Sequence, residues 1–199
     1  MFHKIPASKK SLANRKLIFG IGINDSDYIT DTVINGKREV CPAYRKWKGI
    51  MERCYSSKYH EKRPTYRECS VSDEWVLFSN FESWFYDNLV DGYELDKDLS
   101  VVGNKIYSSE TCLFVPRAIN LLITGNVSNT GNYPTGVYLM KSCGKFNAQV
   151  SCDGINKYLG IFNTPEEART AYVKAKNEEI NIKCKQYPEF SKYLINHLL

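Results

Sequence analysis

TGVYLMKSCGKFNAQVSCDGINKYLGIFNTPEEARTAYVKA, residues 135–175, decides how the C-terminal part of this chain folds. Three runs within it, GVYLMK, KFNAQVS and NKYLGIF, have the length and composition of strands. Turn signals separate them at Ser142-Cys143-Gly144 and Asp153-Gly154. Thr164-Pro165-Glu166-Glu167 then opens a helix, with threonine as N-cap, proline at the first helical position and glutamate at the third. Ala168, Ala171, Tyr172 and Ala175 make its inward stripe, and the small alanines let it lie close on a sheet. The segment predicts a three-stranded antiparallel sheet packed on one helix, near the lower size limit for a self-supporting core.

Strand alternation assigns the two faces. Val137, Leu139, Phe146, Ala148, Val150, Leu159 and Ile161 should meet the helix. Tyr138, Met140, Asn147, Gln149, Ser151, Asn156 and Tyr158 should look away from it. The outward set is rich in amides, hydroxyls and aromatic rings and holds no carboxylate. Amide side chains make paired hydrogen bonds to base edges, and strands can enter the major groove. Lys141, Lys145 and Lys157 stand near the turns, where they could meet phosphates. The expected partner is double-stranded DNA.

The pattern GVY…GKFNAQV…KYLGIFNTPEEARTAYVKA resembles the Apetala-two DNA-binding domain of plant ethylene-response factors and many phage proteins. The likeness covers residues 135–175 and rests on GV, GK-aromatic-x-A, LG-x-F, the Thr-Pro-Glu-Glu cap and A-x-x-A-Y. It implies that Tyr138, Gln149, Ser151 and Tyr158 contact DNA. The plant domains carry more arginines on this face, which implies weaker binding here or a different preferred sequence.

Upstream, GNVSNTGNYP is polar, rich in Asn and Gly, and without periodicity, which marks 125–133 as a linker and 134–199 as the C-terminal domain. Before it, ELDKDLSVVGNKIYSSETCLFVPRAIN (94–120) reads as strand, glycine-containing loop, short strand, then a helix with Pro116 in its first turn. Asp96 and Asp98, two residues apart, are expected on one strand face. This run is similar to the core of HNH (His-Me finger) nucleases. More broadly, residues 23–124 resemble phage HNH-related proteins of homing-endonuclease type. Those proteins have a basic tyrosine- and tryptophan-containing helix, an L-D-K-D strand and a Y-S-x-E-x-C-x-F-V-P step, and many of them end in an Apetala-two domain. The resemblance implies a metal-dependent phosphodiesterase using magnesium or manganese. Asp96 is then the metal ligand and Asp98 a second oxygen donor. Asn104 falls in the G-N loop, and Thr111 at the position of the helix-entry asparagine.

One departure matters. Lys97 stands where the resemblance requires the histidine general base. A lysine beside Asp96 and Asp98 stays protonated near neutrality and cannot take a proton from water. His3 and His60 are the other candidates that the chain offers here, and no motif places either at the site. Two outcomes follow: a nuclease in which another group activates water, or a catalytically inactive DNA-binding regulator or anti-defence protein that keeps the scaffold.

Toward the N-terminus, residues 1–22 read as an arm. YITDTVINGKREV (28–40) is a hairpin turning at Asn35-Gly36. AYRKWKGIMERCYS (43–56) is a helix with Tyr44, Trp47, Met51, Cys54 and Tyr55 inward. Its basic residues, Arg45, Lys46 and Arg53 above all, are expected to grip phosphates. Ser79 and Glu82 suggest a capping box for a second helix burying Phe81, Trp84, Phe85 and Leu89. The last run, YPEFSKYLINHLL, reads as a short closing helix.

Bulk properties bound the rest. The 199 residues carry a net charge of +5 with ordinary apolar and charged fractions. The fold class expected is α+β: an N-terminal hairpin and helices around a His-Me-finger-like ββα core, then the small sheet on its helix. Charge changes sign along the chain, from a basic block at 37–67 to an acidic one at 73–98. That acidic block allows a third reading, a protein-binding module, which the basic balance of the whole disfavours. Seven cysteines without a C-x-x-C pair argue against a disulfide framework. Cys41, Cys54, Cys69 and Cys112 are the candidate zinc set, although no close ligand pair is among them. No run is long and apolar enough to cross a bilayer, so no membrane partner is expected. The expected location is the cytoplasm, that of the host cell for a phage-encoded protein.

Overall fold

The computed structural model describes residues 2–124 and 133–199. In chain order it contains α1 (Lys9–Ala13), β1 (Asp31–Ile34), β2 (Lys37–Val40), α2 (Pro42–Tyr55), α3 (Ser57–Lys62), β3 (Ser70–Val71), α4 (Asp73–Val76) and α5 (Phe78–Asn88). These are followed by β4 (Tyr93–Asp96), β5 (Ile106–Tyr107), β6 (Leu113–Pro116), α6 (Arg117–Thr124), β7 (Val137–Met140), β8 (Lys145–Cys152), β9 (Ile155–Phe162), α7 (Pro165–Gln186) and α8 (Ser191–Leu194). The class is α+β, with antiparallel and parallel pairings in separate small sheets. The expected linker at 125–133 lies outside the described residues apart from Tyr133.

The chain divides into two compact units: residues 1–91 with 103–113, and residues 92–102 with 114–199. The first is built around aromatic rings. Pro42 starts α2, and Ala43, Tyr44, Trp47, Ile50, Met51 and Cys54 recur on its inner side. Trp47 stacks against Tyr44 and Phe78 and donates its indole N–H to the Trp75 carbonyl at 2.7 Å. A Cβ on Gly22 would come within 2.8 Å of the Trp47 ring, so that glycine is required by the packing. The arm expected at 1–22 is tied into this unit. Arg15 donates to the carbonyls of Asn24, Ser26 and Tyr28, and the Ile29 N–H bonds the Ile5 carbonyl.

The start of α5 departs from the expected capping box. Its N-cap is Leu77, and the Asp25 carboxylate supplies the cap by accepting from the Ser79 N–H at 2.8 Å. Glu82 serves elsewhere, accepting from the Tyr28 hydroxyl at 2.6 Å and pairing with Lys4. Leu89, expected inside, lies past the end of α5 and is exposed. A carboxylate distant in sequence won over the local serine, because capping needs only an acceptor near the first turn.

In the second unit β4 pairs with β6, and α6 follows directly. Asn120 on α6 donates to Glu94 on β4 at 2.6 Å, and Arg117 pairs with the same carboxylate. Pro116 ends β6 rather than entering the helix. β7, β8 and β9 form the three-stranded antiparallel sheet in that order. Val137, Ala148 and Ala168 form the centre of its core, flanked by Tyr133, Phe146, Leu159, Phe162 and Ala171. Thr164 and Glu167 make the expected capping box of α7. The helix then runs through Gln186, beyond the expected module. Two lysines, Lys176 and Lys183, lie in its buried stripe.

None of the seven cysteines is in a disulfide. Cys41, Cys54, Cys69 and Cys112 are buried, Cys152 and Cys184 partly so, and Cys143 is exposed in the β7–β8 turn.

Candidate nucleic-acid interface

Register places the side chains of the sheet. Tyr138 pairs with Asn147, Gln149 with Tyr158 and Ser151 with Asn156, so all six share the face opposite Val137, Ala148 and Val150. Past the start of β7, Tyr138, Gln149, Ser151 and Asn156 line a pocket with Tyr172 and Lys176 of α7. Lys145 opposite Met140 joins them, and Lys141 lies in the exposed turn beyond. Tyr138 and Tyr158 are 44% and 57% exposed, enough to stack on or wedge against a partner. Asn147, Gln149 and Ser151 are half-buried. The Asn147 Oδ1 is buried and has no hydrogen-bond partner. An acceptor left so is unfavourable until a donor covers it.

One expected assignment is reversed. The register shifts between Ala148 and Gln149, so that Gly160 faces Ala148 while Tyr158 faces Gln149. Leu159 is the extra residue of a β-bulge, and Gly160 adopts a φ of +132° beside it. Alternation therefore restarts, and Ile161, expected against the helix, pairs with Asn147 and lies on the outward face. Lys157 pairs with Val150 and so projects on the helix side, apart from Gln149 and Tyr158. The signal for the bulge was the glycine inside an otherwise regular strand pattern.

Both ends of the hairpin are anchored. Gly136 has a φ of +83°, and a Cβ there would fall 2.0 Å from the Tyr172 ring, so β7 begins flush against α7. Arg169 donates to the Thr135 carbonyl at 3.0 Å and lies over the Tyr172 ring. At the β8–β9 turn, Asp153 has a φ of +50° and accepts from the Lys183 ammonium at 2.9 Å. The Lys183 side chain is only 5% exposed, and Glu179 and Gln186 complete its surroundings.

The residues expected to form a metal-dependent site do not assemble as the resemblance implies. β4 ends at Asp96, so Asp98 is not on the same strand. The cause is local: one Asp96 oxygen accepts the N–H groups of Asp98 and Leu99 at 2.8 and 2.7 Å, which curls the chain. Burial pushes the Asp96 carboxyl above the ordinary range, while those amides and Lys97 oppose the rise. The Lys97 ammonium is buried and paired with the Asp98 carboxylate. Asn104 and Thr111 belong to the other unit, where both side chains donate to the Ile106 carbonyl, at 2.7 and 2.8 Å. Thr111 lies in the turn before β6, not at a helix entry. Among the described residues no three His, Cys, Asp or Glu side chains are grouped to hold a metal ion, and this includes Cys41, Cys54, Cys69 and Cys112. Asp96, with one oxygen held by two amides, and Asp98, paired with Lys97, do not present the two oxygens on one strand face that the resemblance implies, and the four cysteines are not grouped for zinc.

The basic helix is partly as expected. Arg45 is exposed and Lys46 half-buried. Arg53 is turned inward among Tyr59, Tyr66 and Tyr107, and the His60 ring N–H donates to its carbonyl at 2.8 Å, so both residues act within the fold. Among the described residues no helix is long and apolar enough to cross a membrane.

No protein family, no curated protein and no solved structure matches this chain.

Proposed function

We propose that this chain binds double-stranded DNA through the outward face of β7, β8 and β9, on a scaffold of phage HNH homing-endonuclease type. One observation carries the reading. Tyr138, Asn147, Gln149, Ser151, Asn156 and Tyr158 share a single carboxylate-free face, with Lys145 beside them. Such a face offers stacking and amide hydrogen bonds to base edges, with an ammonium for phosphate. The ion pair of Lys97 with Asp98 favours the non-cutting version, a DNA-binding regulator or anti-defence protein, over a phosphodiesterase. A lysine so held is a poor general base, and an aspartate so held is a poor metal ligand.

Fluorescence anisotropy with labelled duplex DNA tests the binding. The Q149A/Y158A variant should bind at least tenfold more weakly than the parent, and unchanged affinity would remove the sheet as the interface. Cleavage is tested on supercoiled plasmid with magnesium or manganese, alongside Asp96→Ala. Intact plasmid is expected; metal-dependent nicks that the variant abolishes would restore the nuclease reading.

A further inference from the structure

We infer that the β1–β2 hairpin and the outer side of α2 form a second DNA-contacting surface, with the hairpin in a groove and Arg45 and Lys48 on the flanking phosphates. This rests on the DNA-binding reading above, and extends it to the unit that does not contain the C-terminal sheet.

The hairpin is a bare two-stranded ribbon with no third strand beside it among the described residues. Asn35 and Gly36 turn it with φ of +49° and +75°, the left-handed pair that a type I′ turn needs. Each strand has four residues, about 13 Å of ribbon, and the strands lie about 4.8 Å apart. With side chains, such a ribbon fits a major groove about 12 Å wide and 8.5 Å deep.

Chemistry on the ribbon is asymmetric. Register pairs Asp31 with Val40 and Val33 with Arg38, so these four share one face. Val33 is 65% exposed, an apolar group at the position where a thymine methyl or a base step could receive it. Arg38 donates its Nε to Asp31 at 2.8 Å and a second guanidinium nitrogen to the other carboxylate oxygen. That fork fixes the arginine yet leaves its side chain 67% exposed. Lys37 stands next to the turn, also exposed.

The same charge continues onto the helix. Arg45 and Lys48 are three residues apart on α2 and therefore neighbours, both exposed. Both act on the Asp31 carboxyl: the Arg38 fork first, then the fields of Lys48 and Arg45, hold it below the usual carboxylate range. Asp31 thus sits among three cations and cannot neutralise them. Glu39 lies with Lys37 on the other face of the ribbon, and Glu52 is the neighbour of Lys48 one turn along α2, where it offsets part of that charge. An exposed edge strand protected only against aggregation needs scattered charge. Arg38, Arg45 and Lys48 outnumber Asp31 and Glu52 around an exposed valine, and that net positive charge on the ribbon and adjoining helix fits a polyanion groove better.

The test uses the full chain, duplex DNA and two sets of variants. R45Q/K48Q changes exposed side chains only, and unaltered thermal melting checks its fold. Relative to the parent it should lower the salt dependence of log K by about two and weaken binding roughly tenfold. Val33→Ser should shorten the hydroxyl-radical footprint at one end, and Q149A/Y158A should erase a different segment. Unchanged salt slope and footprint in R45Q/K48Q and Val33→Ser, with binding still lost in Q149A/Y158A, would overturn this second surface and leave the sheet standing. A parent chain that does not bind duplex DNA would overturn both.

Discussion

Asp96 commits one carboxylate oxygen to two backbone amides, and burial raises its proton affinity. The folded state therefore takes up the Asp96 proton at a higher pH than the unfolded chain does. Between the two values the folded state holds more protons, so this residue adds stability as pH falls through that window and withholds it above. Asp96→Asn keeps the accepting oxygen without the buried charge, and should be at least as stable as the parent at pH 7 in urea titrations. Its gain over the parent should shrink toward pH 4. Asp96→Ala loses the turn acceptor and should cost about 1 kcal/mol at either pH. An asparagine variant far less stable than the alanine one would contradict the turn-forming role. Lys97 was identifiable in the sequence as the wrong residue for a base. Its burial against Asp98 was not, because nothing in a linear pattern says that the strand stops at Asp96.

Elements with strong local signals follow the sequence closely. Thr164, Pro165 and Glu167 start α7 where a capping box must, and Asn35-Gly36 turns the hairpin, since both rest on chemistry within a few residues. The failures come from non-local or irregular geometry. Asp25 caps α5 from 54 residues away, and the bulge at Leu159 carries Ile161 to the outward face. The outward face itself was legible at Tyr138, Asn147, Gln149, Ser151 and Tyr158. Ile161 departs from the expected face because simple alternation does not carry through the bulge. Two element-scale predictions follow from the anchors of the hairpin. Gly136→Ala must shift the Tyr172 ring and adopt an unfavourable φ, so it should cost about 1–3 kcal/mol by urea unfolding. Lys183→Met leaves Asp153 without its ammonium, and should speed amide hydrogen exchange at the β8–β9 turn at least tenfold while β7 is little changed.

At the scale of the molecule, the chain passes between its two units at 91–92, 102–103 and 113–114, so neither unit is one continuous stretch. β4, β6 and α6 group with the C-terminal sheet, and the Lys176 ammonium on α7 donates to the Leu122 carbonyl near the end of α6. A fragment of residues 134–199 would leave that carbonyl behind and uncover Ile180 and Lys176. It should unfold at a lower urea concentration than residues 92–199. Equal midpoints would show that α6 adds nothing to the sheet and helix. All three tryptophans, Trp47, Trp75 and Trp84, lie in the first unit, so their fluorescence follows that unit alone.

The cysteine distribution makes the β7–β8 turn chemically addressable. Cys143 is exposed while Cys41, Cys54, Cys69 and Cys112 are buried and Cys152 and Cys184 are partly covered. A maleimide dye or nitroxide added at limiting ratio would therefore conjugate first between Lys141 and Lys145, at the rim of the outward face. One tag there, without redesign of the chain, would turn any partner's arrival into a change of emission or spin mobility.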